Sequence, residues 1–514
     1  METALIFHLP SKNSQSAEDF EKTLKSFFSQ TNKFYSMIGL ANSESLDLPE
    51  EHADRIRVLT FEQDNLSLQL NLALDELDND FVMYVNNESN PVILKDACND
   101  MYLLAAYRNS DAGIIYGEYE LADGDNIKDI HLLNHHIGRL RDNQDYGKVF
   151  LFDRDAIDRV YGFDESLDYH ALYDNRLKIS ENNRLIRVAN KFSAALYQVI
   201  ATAKEANVFD YLLAGKEVQL EAEAVVTEHL KRIHAYLEPA FGNRSRPVEK
   251  TESELIASIV IPVNNRPEFI GTAIDSIQAQ SVKEVEAIIV VNGGPDDATI
   301  PEVKRYLKDG DLYNADKPSI QLIVVDINNI GFCLNMGVRH ARGKYYVQLD
   351  SDDRLKPKAV EKIVAEFDNN PTNGMVIGSY EVWEKKTKKV MRMKDIPVVT
   401  HDEWTDENGR NNLLRINGAG APRAIPFQII KEMNYFGIND DPYALNYGED
   451  YDMVLHISEK YRIGRIYEPI YDVIRHAGGT DHNINQATID RNDEAKDHMR
   501  REAINRRRYK YETR

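Results

Sequence analysis

Tyr345-Tyr346-Val347-Gln348-Leu349-Asp350-Ser351-Asp352-Asp353 is an aromatic and branched run that ends in three carboxylates. Followed by Arg354, Leu355 and Pro357, it predicts a buried strand that leaves the core at a loop. Acids at the carboxyl end of a strand lie where open α/β sheets place their ligands. Two carboxylates spaced i, i+2 offer oxygens to a hard divalent cation, which keeps waters and takes further ligands from phosphates. A solvated acidic loop has the same composition, so the rest of the chain must decide between the two.

The chain has 514 residues, enough for about two to four domains and for large cores. Its hydrophobic fraction, 42%, is ordinary for globular protein, and its formal net charge of -22 argues against wrapping nucleic acid. Cys98 and Cys333 are the only cysteines. They argue against a disulfide framework and a cysteine-rich zinc site, and fit a reducing compartment. Met1-Glu2-Thr3 opens no basic region or long apolar run, so no signal peptide is expected. No apolar run approaches the ~18 residues of a membrane span. The expected location is cytoplasmic, with docking at the inner face of a membrane left open.

Short apolar runs alternate with helical spacing on both sides of the chain's middle. Ala4–Leu9, Tyr35–Leu40, Arg55–Leu59 and Phe81–Val85 read as strands, and Phe20–Phe28 and Leu66–Leu77 as helices. Ala194–Leu237 reads as largely helical, and residues 243–254 as a polar linker. Alternation then restarts. Ser258–Val263, Glu286–Val291, Ile320–Val325, Tyr345–Leu349 and Gly374–Val382 read as strands; Phe269–Ile277, Cys333–Ala341 and Lys358–Phe367 read as helices. Such alternation predicts an α/β fold with mostly parallel sheets and right-handed crossovers.

The two halves resemble each other. Leu24–Gln30 parallels Ile274–Gln280, Leu70–Leu74 parallels Leu334–Val338, Gly113–Glu120 parallels Gly374–Glu381, and Ile179–Glu181 parallels Ile457–Glu459. Matches in the same order at similar separations predict a tandem duplication. Opposite Leu349-Asp350-Ser351-Asp352-Asp353 the first half carries Val85-Asn86-Asn87-Glu88-Ser89, so three acids become one.

With these motifs in view, residues 258–482 resemble the family-two glycosyltransferases of GT-A fold, which move a sugar from a nucleotide-sugar donor to an acceptor. Ile259–Arg266 resembles the opening strand and nucleotide-side loop, with Asn264 where the family usually has tyrosine. Ile289–Gly294 resembles the second strand, with Asn292 where the family usually has the base-reading aspartate. Asn329-Ile330-Gly331 through Gly337 resembles the helix before the D-x-D strand, and Asp350-Ser351-Asp352-Asp353 stands as D-x-D itself. Gly418–Pro422 resembles the small-residue segment near the acceptor, Gly448-Glu449-Asp450 the E-D motif, and Ile474-Arg475-His476 the late histidine segment.

The resemblance implies two Rossmann-type, GT-A-like domains joined by a helical connection. Residues 1–205 would be a degenerate, non-catalytic copy, 206–250 the connection and linker, 251–485 the catalytic domain, and 486–514 a basic helical tail. It implies Asp450 as catalytic base, with Glu449 orienting acceptor hydroxyls. Pro262, Val263, Asn265, Arg266, Asn292, Gly331, Asn335, Asp350 and Ser351 would bind the nucleotide-sugar. Asp352, Asp350 and His476 would hold Mn²⁺ or Mg²⁺, with Asp350 on either the ribose or the metal. Asp353 reads equally as a solvated loop acid, and His482 competes with His476.

The chemistry is consistent with that set. A divalent cation beside the two acids neutralises the charge that grows on a departing nucleoside diphosphate. An acceptor hydroxyl needs a base in line with the breaking bond, and such attack predicts inversion at the anomeric carbon. Opposite Glu449-Asp450 the first half has Ala171-Leu172, and near the place of His476 it has Thr202. The expected partners are a nucleotide-sugar, with a UDP-sugar favoured, and a glycan or lipid-linked acceptor of surface polysaccharide or glycoconjugate synthesis. Residues 491–514 hold nine Lys or Arg against five Asp or Glu. Arg500-Arg501 and Arg506-Arg507-Arg508 are compatible with anionic lipid, with the acidic body, or with a neighbouring subunit of a homo-oligomer. A non-enzymatic sugar-binding or scaffold protein of the same fold is the main alternative. A nucleotidyltransferase is the second, and lacks the Gly-rich loop that such enzymes carry after their first strand.

Overall fold

The computed structural model describes residues 2–189, 195–201, 215–239, 245–247, 253–386, 389–400, 408–416, 418, 420–439, 443–476 and 486–512. The chain divides into two compact units, Met1–Ile233 and His234–Arg514. The first unit's main sheet is built from β1 (Thr3–His8), β2 (Ser36–Ala41), β3 (Arg57–Thr60), β4 (Phe81–Val85), β5 (Ala112–Gly117), β6 (Val149–Asp153) and β7 (Arg184–Val188). Their order is β7-β5-β6-β4-β1-β2-β3. Both β1 and β5 are buried at every position, which is why they read as unbroken apolar runs rather than alternating ones.

The second unit's sheet contains β8 (Ala257–Val263), β9 (Val285–Val291), β10 (Ser319–Val324), β11 (Tyr345–Gln348), β12 (Asn373–Lys386), β13 (Arg423–Pro426) and β14 (Arg462–Arg475). The order is β10-β9-β8-β11-β13-β12-β14, with a short strand at Arg354–Leu355 beyond β14. Strand senses agree as well. The first and central strand of each unit, β1 or β8, is parallel to both neighbours. A reversed strand inside each sheet, β6 or β13, is antiparallel to both of its own. The α/β expectation with mostly parallel sheets holds in both units.

The likeness extends to side-chain bonds that strand order does not impose. In α1 (Ala17–Ser29) and its surroundings, Gln30 Nε2 donates to Ser26 O at 3.0 Å and Lys95 O at 2.9 Å. Beside α5 (Pro267–Gln278, numbered after α2 Leu66–Asp75, α3 Ala171–Ser180 and α4 Lys216–Arg232), Gln280 Nε2 donates to Ser276 O at 3.0 Å and Lys356 O at 2.9 Å. Asn71 on α2 bonds both backbone groups of Phe163, and Asn335 on α6 (Ile330–His340) does the same to Phe436. Tyr173 donates to Leu140 O at 2.5 Å, and Tyr451 to Leu413 O at 2.5 Å.

Three expectations change. Tyr197–Ile200, inside the stretch expected to be helical, is a strand, because Tyr197 and Val199 face a core while Gln198 and Ile200 do not. The helix α4 belongs to the first unit, where Glu221 accepts from the backbone of Asp168, Tyr169 and His170 and Glu181 meets His229 at 2.8 Å. Thr202 lies outside the described residues.

The third concerns the basic tail. It forms α8 (Gln486–Glu512), after α7 (Glu449–Ser458), and packs on α7. Arg500 and Arg507 are 0% and 2% exposed. Arg500 pairs with Asp497 and donates to Ile416 O at 2.8 Å, while Arg507 donates to Arg410 O at 3.0 Å. These two arginines satisfy carbonyls inside their own unit, so they are not available to a lipid surface. Among the described residues no helix is long and apolar enough to cross a membrane.

Candidate active site

The strand β11 is buried at all four residues and lies between β8 and β13. Its acidic end is held by the last residues of β14. The N–H of Asp350 donates to Tyr471 Oη at 3.1 Å, and Asp353 accepts from the N–H of Ile474 at 2.7 Å. Arg354 and Leu355 pair with Asp472 and Tyr471. These contacts bring His476 Nε2 to 2.9 Å from Asp352 Oδ2, across 124 residues of sequence. The His476 side chain is 7% exposed and its ring packs on Phe269, with centroids 4.2 Å apart.

The pair fits a divalent cation. Neighbouring ligands around an octahedral ion with bonds of ~2.1 Å stand about 3 Å apart, and Asp352 and His476 present that spacing. Asp350 does not close a third corner with them. Among the described residues, three such donors close enough to share one ion occur at Glu21, Glu51 and His52 instead. Asp350 is half-buried, and desolvation pushes its carboxyl up to about 6, with Arg423 opposing the rise. Asp353 is buried, which corrects its reading as a solvated loop acid; burial, then Asp350 and Asp352, push its carboxyl well up. His482 lies outside the described residues.

On the other side of β11, α7 starts at Glu449 after Gly448, whose φ of 91° is a left-handed turn that suits glycine. Asp450 pairs with Arg423, the first residue of β13, at 2.5 Å. Burial would raise the Asp450 carboxyl, but Arg423, Lys496 and the N–H of Tyr451 outweigh it and hold the group below its usual range. Glu449 goes the other way: burial, then the neighbouring Asp450 charge, push it up to about 8. Adjacent carboxyls are thus pushed in opposite directions, Glu449 toward its neutral form and Asp450 toward its charged form.

The loops after β8 and β9 are tied together by Asp297. Its carboxylate accepts from the N–H of Asn265 at 2.9 Å and of Thr299 at 2.7 Å. Thr299 in turn accepts from the N–H of Arg266 at 2.8 Å. Asn265 sits at φ 48°, and a Cβ on Gly293 would lie 2.3 Å from Asp297 Oδ2. Pro262 and Val263 close β8, with Val263 in the core. Ser351 is 9% exposed. Asn292 is buried, with Nδ2 3.3 Å from Cys333 Sγ; its Oδ1 has no partner among the described residues.

Two expected nucleotide contacts have other work. Asn335 uses its carbonyl and amide on the backbone of Phe436, both at 2.9 Å, so it braces α6. A Cβ on Gly331 would lie 2.0 Å from Gly437 O, so this glycine allows a close backbone approach. Sequence reading missed Arg423, Tyr471 and Asp297. Arg423 follows the small-residue segment directly, but nothing in its spacing ties it to Asp450. Ala419 of that segment lies outside the described residues.

With this geometry in place, residues 258–432 match the family model for glycosyl transferase family 2. This stretch is a family 2 glycosyltransferase domain. The glycosyltransferase domain contains β8 to β13, and the helix carrying Asp450 follows it. An uncharacterized glycosyltransferase of Rickettsia bellii is 29% identical over 215 residues, 41% of this chain and 28% of that protein. A chondroitin synthase of Escherichia coli is 25% identical over 244 residues, 47% of this chain and 32% of that protein. The structure of S. aureus TarS 1-349 in complex with UDP-GlcNAc is similar to 45% of this chain and 62% of its own, at 16% identity and a TM-score of 0.34. The chain spans less than two thirds of the length of the relatives it matches.

Proposed function

We propose that the second unit transfers a sugar from a nucleoside diphosphate sugar, with a UDP-sugar favoured, to a hydroxyl of a glycan or lipid-linked acceptor. The observation that carries this reading is the 2.9 Å pairing of Asp352 with His476 at the acidic end of β11, inside or next to a family 2 domain. Relatives named chondroitin synthase and hyaluronan synthase favour polysaccharide synthesis. The unpartnered Oδ1 of buried Asn292 favours a hydrogen-bond donor there, such as a nucleobase N–H.

Asp352 and His476 would hold the cation, and a bound Mn²⁺ or Mg²⁺ would supply charge neutralisation for the leaving diphosphate. Asp350 then faces the donor's ribose. Asp450, held ionised, is the carboxyl able to take the acceptor proton. Glu449, protonated, donates a hydrogen bond to the acceptor. Attack from the side of Asp450 inverts the anomeric carbon.

The first unit is read as a tandem copy without these groups. In place of Asp350, Asp352 and Asp450 it carries Asn86, Glu88 and Leu172. The test is manganese-dependent release of nucleoside diphosphate from a panel of nucleotide-sugars, with oligosaccharide acceptors present. Turnover that needs metal and Asp352 is expected. A folded protein without turnover on any pair would favour the sugar-binding or scaffold alternative.

A further inference from the structure

The first unit has a cavity of about 260 Å³ between α3 and the face of its sheet, lined by Asp142, Tyr146, Lys148, Phe150, Leu172 and Tyr173 among others. Strand register fixes its counterpart in the second unit. Val82 pairs with Ala4 and Phe152, as Tyr346 pairs with Ser258 and Ile425. Two residues back along the reversed strand, Phe150 pairs with Tyr116 as Arg423 pairs with Ile377. The Tyr173–Leu140 and Tyr451–Leu413 bonds then align α3 with α7, so Leu172 falls at Asp450. The Arg423–Asp450 ion pair has become Phe150 and Leu172, and both line the cavity.

We infer that this cavity binds one pyranose ring of a glycan and holds it without reaction. The inference rests on the second unit's proposed use of the equivalent place for an acceptor sugar. The exchange removes the base and its counter-ion and leaves an apolar floor, suited to the C–H face of a sugar. Tyr173 lines the cavity with its hydroxyl bonded to Leu140 O, and Arg176, also on the lining, lies 5.2 Å from its ring centroid. Tyr146 Oη lies 2.6 Å from His135 Nδ1, with the Arg176 guanidinium 4.2 Å from the ring centroid, which fixes that wall. Asp142, Asn143 and Lys148 supply polar groups on the lining for hydroxyls. The volume lies just under the ~300–1,000 Å³ of drug-sized sites, as a single ring requires. A nucleotide diphosphate is disfavoured, since the acidic loop of this copy is Asn86-Asn87-Glu88-Ser89.

The test uses the full chain. Both native cysteines are buried, so Asn143→Cys, exposed on the lining, takes a nitroxide label selectively. Paramagnetic broadening of the protons of hyaluronan, chondroitin and chitin tetrasaccharides is then measured without donor or metal. Broadening of at least one is expected. It should vanish with Leu172→Trp, which fills the cavity. Lys148→Ala should raise the half-maximal concentration about tenfold, and its melting curve guards against misfolding. Transfer to a monosaccharide acceptor should be unchanged by either variant. No broadening with all three sugars, or broadening that survives a folded Leu172→Trp, overturns the inference. Broadening without any transferase turnover would sustain this site while defeating the reading of the second unit.

Discussion

The carboxylate of Asp353 accepts a hydrogen bond from the N–H of Ile474, two residues before His476. The D-x-D loop and the histidine strand are therefore registered by a buried acid that need not touch substrate. Asp353→Ala should weaken manganese binding about tenfold or more, from loss of the hydrogen bond that holds the two segments in register. Asp353→Glu should not restore the spacing, while transfer by the remaining folded protein should regain rate at high manganese. Unchanged manganese affinity by titration calorimetry would show that Asp353 only fills space.

Removing a metal carboxylate should be far more severe. Asp352→Asn should lower kcat by about 10³-fold, as expected for losing several kcal/mol of charge stabilisation. His476→Ala should chiefly raise the manganese requirement. Both variants should melt near the parent temperature without metal. An Asp352→Asn enzyme with parental kcat would place the ion elsewhere.

The neighbouring carboxyls of α7 should separate in their kinetics. Asp450→Asn should reduce kcat by about 10²- to 10⁴-fold, the usual contribution of a positioned base. Glu449→Gln keeps a neutral donor and should retain most activity near pH 7. If Glu449→Gln were the more damaging of the two, the roles would have to be exchanged.

The paired asparagines should be structural in both units. Asn71→Ala and Asn335→Ala each leave two backbone groups of a phenylalanine without their partner, which costs on the order of 2 kcal/mol. Denaturant midpoints should fall while the KM for donor stays level with Asn335→Ala. A raised donor KM with no loss of stability would return Asn335 to the nucleotide site.

The first unit should loosen in acid through His8. Burial pushes this imidazole down to about 4, and it sits 2.7 Å from Tyr84 Oη. The unfolded chain takes up the proton near pH 6.5, before the folded one does. Stability is therefore complete above that pH and falls by up to about 3 kcal/mol as pH drops toward 4. Hydrogen exchange of β1 and β4, corrected for intrinsic rates, should show this loss, and His8→Gln should flatten it.

Much of this architecture was legible because buried parallel strands are written as unbroken apolar runs. β1, β8, β9 and β11 start or end within a few residues of where their composition places them. The family resemblance named Asp352 and His476 together, and the fold sets them 2.9 Å apart. Arg423 was not legible, because a half-buried arginine is defined by the charges around it, and those come from α7 and the end of β11. Asn335 braces the backbone of Phe436 and Gly331 allows a close approach of Gly437, contacts that a motif alone does not show. Tyr197–Ile200 was misread because alanine- and glutamate-rich sequence around it suggested a helix, while sheet pairing decides four-residue segments.

The terminal helix α8 has a bearing on where this protein can be cut. Sequence reading marks 486 as the start of a basic helical tail. Yet Met499 lies against Gly448, Arg500 faces the Tyr451 ring at 4.9 Å, and Lys496 helps keep Asp450 ionised. A chain stopped at 485 would keep every motif and lose the wall behind Asp450. It would look complete in an alignment and be crippled at the bench.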